Sequence, residues 1–318
     1  MHDRQGDHMS ELLTLTRPQG ANRALLDGTV TPAGHTLRFA DEPVLVKGFR
    51  RMVRGLEYDV AEMALTTYLT AREHGVAFTA LPVFLVRAFH HGATQVLADS
   101  PVGTPADLAG KRVGVNRGYT VTTGVWGRSF LQEAGLDPDD VTWVCTDEEH
   151  VADYVRPANV TAAPDGVPLE ELLLTGAVDA VVGAAIEHPS VVPLIADPEE
   201  AGLRAAVEDG IFPVNHLVVV RDELLAGQPG LAEALFEAFT GAKERYVGEL
   251  RAGLRETAQD RTLGGLLDAT GRDPLPYGIE PNRAVLERLL ADARAQHILR
   301  RTERIEDVFA PGTLALTG

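Results

Sequence analysis

Cysteine is nearly absent from this chain, and so are several of the patterns that would settle a function at once. Cys145 stands alone among 318 residues, so the chain cannot close an internal disulfide or build a thiolate zinc cluster. Positive charge is outnumbered: 29 Lys and Arg face 46 Asp and Glu, for a net charge of −17. A field of that sign repels phosphate backbones, which argues against a nucleic-acid partner. An anionic small ligand stays admissible, because a few arginines in a cleft reverse the sign locally. No run approaches the roughly 20 apolar residues that span a bilayer, so no membrane partner is expected. The opening MHDRQGDHMSELLTL has no apolar core of signal-peptide length, and a cytoplasmic location is expected. Residues 1–10 read as a loose tail with His2 and His8 in solvent. The glycine spacing forms neither a Walker loop nor a dinucleotide fingerprint, and there is no H-E-x-x-H. No internal repeat or low-complexity segment is present.

What is there is the balance of a folded protein: 45% apolar and 24% charged residues. The length is about twice that of a usual domain, which favours two lobes. Short β-branched runs alternate with helical patterns. Strands are expected at 12–15, 36–40, 58–63, 78–86, 94–98, 112–115, 141–145, 179–183 and 214–220. Thr104, Pro105 and Asp107 read as a strong helix start. Val121, Val125, Trp126, Phe130 and Leu131 mark one helix face, and Leu231, Leu235, Phe239, Ala242, Tyr246 and Leu250 another. A further helix should begin at Pro281, and 146–168 reads as loop. Strand–helix alternation implies α/β architecture with largely parallel sheets. In such sheets ligands sit beyond the carboxyl ends of strands, at helix N-termini.

Two sets of residues carry a resemblance. Thr104 to Val115, with Asp107-Leu108-Ala109-Gly110-Lys111-Arg112-Val113-Gly114-Val115 at its heart, resembles the start of the second lobe in type II periplasmic-binding-protein folds. Tyr58-Asp59-Val60-Ala61-Glu62-Met63, Pro82-Val83-Phe84 and Arg87-Ala88-Phe89-His90-His91 resemble the 4,5-dihydroxyphthalate decarboxylase family. So do Gly210-Ile211-Phe212-Pro213-Val214-Asn215-His216 and Tyr277-Gly278-Ile279-Glu280-Pro281-Asn282-Arg283, in family order. The resemblance implies a two-lobed α/β fold with two hinge crossings, near 94–98 and 214–220, and C-terminal helices packed back on the first lobe. Lobe 1 is expected at 11–95 plus 217–318 and lobe 2 at 96–216. The family has Arg-His-Ser where this chain has His90-His91-Gly92, and paired serines where it has Thr66-Thr67.

The candidate residues follow from position and resemblance together. Glu62 ends a short strand, where a carboxylate can take a proton; its bland role is to accept local N–H groups at a helix start. Arg87, His90 and His91 form a cationic cluster in an acidic chain. Arginine offers a planar fork for a carboxylate and histidine moves protons near neutral pH. His90 and His91 should face opposite ways on a strand, and the family position favours His91. His216 precedes a buried strand and is either a satisfied structural residue or a proton carrier. Arg117, Tyr119, Thr120 and Thr122 lie between a strand end and a helix start, where an anion site and simple capping use the same donors. Arg23, Thr66, Thr67 and Glu187 complete the candidate binding set, with Glu187-His188 equally readable as a solvent loop closed by Pro189.

The resemblance implies a carbon–carbon lyase that needs neither organic cofactor nor metal. Its substrate would be a hydroxylated aromatic carboxylate, decarboxylated by ring-carbon protonation in an interlobe cleft. Glu62, His91 and His216 would carry the proton transfers. Two alternatives use the same fold: an anionic-ligand binding protein without chemistry, and a lyase or dehydratase of the futalosine route to menaquinone. A thiamine-pyrimidine synthase would need a cysteine-rich motif that is missing. Self-association into a homo-oligomer stays open.

Overall fold

Two sheets organise the computed structural model, which describes residues 10–301 and 303–318. The expected N-terminal tail, with His2 and His8, lies outside the described residues except for Ser10. The chain first lays down β1 (Ser10–Leu15), the single turn α1 (Arg23–Leu26), β2 (His35–Phe39), α2 (Leu45–Gly55), β3 (Val60–Ala64), α3 (Leu65–Glu73) and β4 (Phe78–Arg87). It then builds a second sheet from β5 (Thr94–Leu97), β6 (Arg112–Val115), β7 (Thr142–Cys145), β8 (Val160–Ala162), β9 (Ala180–Val182) and β10 (Val191–Pro193). The helices of that part are α4 (Thr122–Glu133), α5 (Leu169–Leu174) and α6 (Pro198–Glu208). Finally β11 (Val214–Arg221) returns to the first sheet, followed by α7 (Asp222–Gly227), α8 (Leu231–Arg251), α9 (Ala258–Thr270), α10 (Arg283–Ala295) and α11 (Ile305–Val308).

The first sheet has the order β2-β1-β3-β11-β4, and the second β10-β5-β9-β6-β7-β8. β1, β2 and β3 run parallel, while β11 is antiparallel to both its neighbours. β4 is an edge strand, which explains how it holds Pro82: the missing N–H falls where the β11 register slips between Leu217–Phe84 and Val218–Leu81. All five residues of β3 are buried, so Glu62 is the one carboxylate on a strand otherwise made of Val, Ala and Met. The expected faces of α4 and α8 are the buried ones; Tyr246, for instance, is 2% exposed.

The crossings need correction. Strand 94–97 lies wholly in the second sheet and strand 214–221 wholly in the first, so boundaries at 95/96 and 216/217 cut both strands. The chain passes between sheets in 88–93 and 194–213, and the two passages meet where the Ala88 amide donates to the Pro213 carbonyl. Trp126 of α4 donates to the Val214 carbonyl at 3.0 Å, fastening the second lobe to the returning strand. The expected helix after Thr104 is only a 3-10 turn, Pro105–Leu108, because Gly110 enters the left-handed region (φ 74°) and ends it. β8, β10, α6 and α9, with the short helices α1, α7 and α11, are additional to the expected elements. No helix among the described residues is long and apolar enough to cross a membrane.

Candidate active site

The parallel strands β1 and β3 end together, and β11 begins beside them. Val218 pairs with Glu62 and His216 with Ala64. Alternate residues share a face, so His216 lies diagonally across from Glu62 on the same side of the sheet. There Nδ1–H of His216 donates to Glu62 Oε1 at 2.6 Å. Thr16 Oγ1 and the Arg17 amide donate to Oε2 at 2.8 and 3.1 Å, and the Arg17 Nε stands 3.7 Å from Oε1. Burial alone would raise the Glu62 carboxyl. The His216 hydrogen bond and charge, then Arg17 and Thr16, outweigh it and hold the group below the usual carboxylate range. The imidazole stands edge-on to Phe49, with ring centroids 5.2 Å apart. It faces a cavity of about 610 Å³ whose wall also includes Thr16, Arg17, Phe49 and Arg117, together with Asp41 and Glu42, the latter paired with Arg51. Arg117 adopts φ 70°, a left-handed conformation uncommon outside glycine, and its amide is held by Thr146 Oγ1 at 2.8 Å. A carboxylate-oriented imidazole, two guanidinium groups and an aromatic edge thus meet at the carboxyl ends of strands.

The threonines behave differently from expectation. Thr66 bridges the starts of α3 and α4: its hydroxyl donates to the Thr120 carbonyl at 2.6 Å, and its amide donates to Thr122 Oγ1 at 3.1 Å. Thr67 Oγ1 is 3.1 Å from His150 Nδ1. These groups join the two lobes to each other and are fully enclosed. The anion position at 119–120 is likewise filled from within. Glu149 accepts the Tyr119 amide at 2.7 Å, the Thr120 amide at 3.0 Å and the Thr120 hydroxyl at 2.7 Å. Arg156 donates to the same carboxylate at 2.8 Å. The Tyr119 ring is turned into the second lobe, under the Arg128 guanidinium at 3.9 Å, and burial raises its phenol.

Other candidates lie elsewhere. Arg23, expected to reach a ligand carboxylate, is half exposed and paired with Glu249 of α8, and the arginine that stands beside Glu62 is Arg17. Glu187 is exposed and is brought to none of the other candidates. Arg87 is buried where β4 leaves the sheet, donating to the carbonyls of Phe212 and Pro276 and to Asn282. The motifs around 212 and 282 therefore converge on one guanidinium. His91 packs on Phe130 with the rings tilted by 30° and their centroids 3.9 Å apart, and its Nδ1 is buried and unpartnered. It does not meet Glu62 or His216, and among the described residues no three His, Cys, Asp or Glu side chains converge as metal ligands would. His90, set aside in favour of His91, is bonded through Nε2 to Asn215 at 2.8 Å, next to His216. Arg17, Phe49 and Asn215 were not singled out in the sequence; Arg17 and Phe49 come to the site only through the meeting of β1, α2 and β11.

Burial pushes His90 and His150 each down to about 4. Both stay neutral in the fold and become charged on unfolding, so between pH 6.5 and about 4 the unfolded chain binds more protons. Stability should therefore fall as pH drops through that window, on the order of 3 kcal/mol for each imidazole. Thermal midpoints from neutral pH downward test this, and His150→Gln should flatten the slope.

Comparison with known proteins agrees with this architecture. The family described as NMT1/THI5 like matches residues 52–165. The periplasmic aliphatic sulphonate binding protein SsuA of Escherichia coli superposes with a TM-score of 0.55 at 12% identity, over 95% of this chain and 92% of that one. The fold is thus that of the type II periplasmic binding proteins. A 4,5-dihydroxyphthalate decarboxylase of Pseudomonas putida is 35% identical, covering 56% of this chain and 74% of its own length. The 4,5-dihydroxyphthalate decarboxylase of Comamonas testosteroni is 32% identical over 92% of this chain and 94% of its own length. At that identity and coverage, this chain belongs to the 4,5-dihydroxyphthalate decarboxylase family.

Proposed function

We propose that this protein removes CO2 from a hydroxylated aromatic carboxylate such as 4,5-dihydroxyphthalate, in the cavity faced by His216. The observation that carries the proposal is the Glu62–His216 pair, set at a strand end beside Arg17 and Arg117 in a chain of this family. Direct loss of CO2 would leave an electron pair in an sp2 orbital of the ring. Protonating the carbon that bears the carboxylate avoids that. A hydroxyl para to that carbon supports the step by pushing electrons into the ring as it releases its own proton. The C–C bond then breaks, its electron pair restores the aromatic ring, and the hydroxyl regains a proton. One proton is consumed for each CO2 released.

In this reading His216 gives its proton to the ring carbon from Nε2, the nitrogen not bonded to Glu62. Glu62 fixes the ring orientation and compensates the imidazolium. Arg17 and Arg117 hold the carboxylates, which are costly to enclose without cationic partners. Arg117 belongs to the second lobe and Arg17 to the first, so both can grip one ligand only when the lobes are together. A cytoplasmic location belongs to this reading, and the one thiol, Cys145, is free and buried. The test is CO2 release from 4,5-dihydroxyphthalate by the purified protein. Binding of that acid with no release over long incubation would replace the enzyme by a binding protein.

A further inference from the structure

The Arg87 guanidinium is an uncompensated buried charge. The residue is 7% exposed, and its three hydrogen-bond acceptors, the carbonyls of Phe212 and Pro276 and the Asn282 amide oxygen, are all neutral. Its Nε–H has no acceptor. Among the described residues no carboxylate forms a salt bridge with it, and Asp273, whose charge acts on it from farther away, is bonded to Lys243. Burial pushes the guanidinium down to about 10. Enclosing a cation in this way is unfavourable unless an anion joins it.

Two cavities open beside Arg87. The smaller, about 380 Å³, already carries Asp273 in its wall, which opposes a second anion. The larger, about 590 Å³, is walled by Val86, Phe89, Phe212 and Leu263, with Arg17 and Arg261 also lining it. Phe89 and Phe212 lie 5.0 Å apart and tilted by 51°, so they present two aromatic surfaces at an angle. Glu199 is the one acidic side chain in this wall, and it is exposed on α6. Neither Glu62 nor His216 lines the cavity, so a molecule held there is outside the proton-transfer pair.

We propose that this larger cavity is a second binding site, for a small aromatic acid with a single carboxylate. The acid group meets the Arg87 guanidinium where that residue lines the cavity, and the ring packs on Phe89, Phe212 and Leu263. One acid group matches one uncompensated guanidinium, and a planar apolar ring matches the walls. Arg17 lines both this cavity and the one faced by His216, so occupancy here draws on a side chain that the reactive cavity also uses.

Benzoate is the probe, and calorimetric titration of the full chain is the readout, which needs no turnover. Benzoate should bind to the native protein and equally to His216→Ala. Leu203→Trp should weaken its binding at least tenfold: Leu203 lines the cavity, is 37% exposed, and can enlarge without disturbing the core. Arg87→Gln should do the same, and where that variant fails to fold, Leu203→Trp decides. No benzoate binding to the native protein, or binding unchanged in Leu203→Trp, overturns the proposal. Binding lost in His216→Ala but kept in Leu203→Trp would place the acid in the other cavity and overturn it as well. A chain with no decarboxylase activity can pass this test, and an active one can fail it.

Discussion

Glu62→Gln should lower turnover of 4,5-dihydroxyphthalate by about 10²- to 10⁴-fold with little change in KM, and His216→Ala should do the same. The glutamine keeps the size and an acceptor for Thr16 and Arg17. It removes the charge that favours a positive imidazole and offers either oxygen or NH2 to Nδ1, so the ring loses its fixed orientation. The two substitutions strike one device, and the double variant should fall little below the worse single one. Arg117→Ala should behave in the opposite sense, raising KM more than it lowers kcat, because the proposed role of Arg117 is to hold a carboxylate and not to move a proton. Full turnover in Glu62→Gln, with the fold intact by circular dichroism, would remove the pair from the chemistry.

The largest stability effect is expected at Glu149. Glu149→Ala leaves the Tyr119 and Thr120 amides and the Thr120 hydroxyl, all buried, without their acceptor, and takes the carboxylate from the half-buried Arg156, which also donates to the Asp147 carbonyl. Breaking a buried ion pair from one side costs on the order of 3–5 kcal/mol, mostly through the group left behind. Glu149→Gln should cost less, since an amide oxygen still accepts. Gly118→Ala should resemble the alanine variant, because a Cβ at 118 would stand 2.6 Å from Glu149 Oε2. Denaturant midpoints of the three variants give the ranking; equal stability of Glu149→Ala and the native chain would refute the argument.

The contrast between these two residues shows what the sequence could disclose. Glu62 is visible as the carboxylate of an apolar strand in a recognisable motif, and His216 as the residue before an apolar run, although in the structure both lie inside their strands, β3 and β11; their pairing needed only the antiparallel register of β11. The loop at 116–122 was visible as an anion position for a sound reason, free amides at a helix start. Its occupant was not, since Glu149 lies 29 residues beyond Thr120 in a stretch without periodicity. Arg87 reads from the sequence as one of a cationic cluster, but the neutral acceptors that enclose it come from 212, 276 and 282. Local pattern revealed strands and long helices well. It missed β8 and β10, which are three residues each and too short to show alternation, and α9, whose Gly264-Gly265 pair breaks the helical signal.

The place of β11 between β3 and β4 bears on how the molecule comes together during synthesis. The second sheet is made from residues 94–193, one uninterrupted stretch, whereas the first lacks an inner strand until residue 214 has emerged. Closing that long loop is entropically slow, so the later-encoded lobe should acquire protected amides first. Until β11 slots in, Glu62 has neither its imidazole nor its cover, and a bare carboxylate keeps the half-made sheet open to water. Pulse-labelled hydrogen exchange during refolding should find β6, β7 and β9 protected before β3. The strand that finishes the older half of the structure is also the one that brings His216 to Glu62, so that pair and the completed sheet form in the same event.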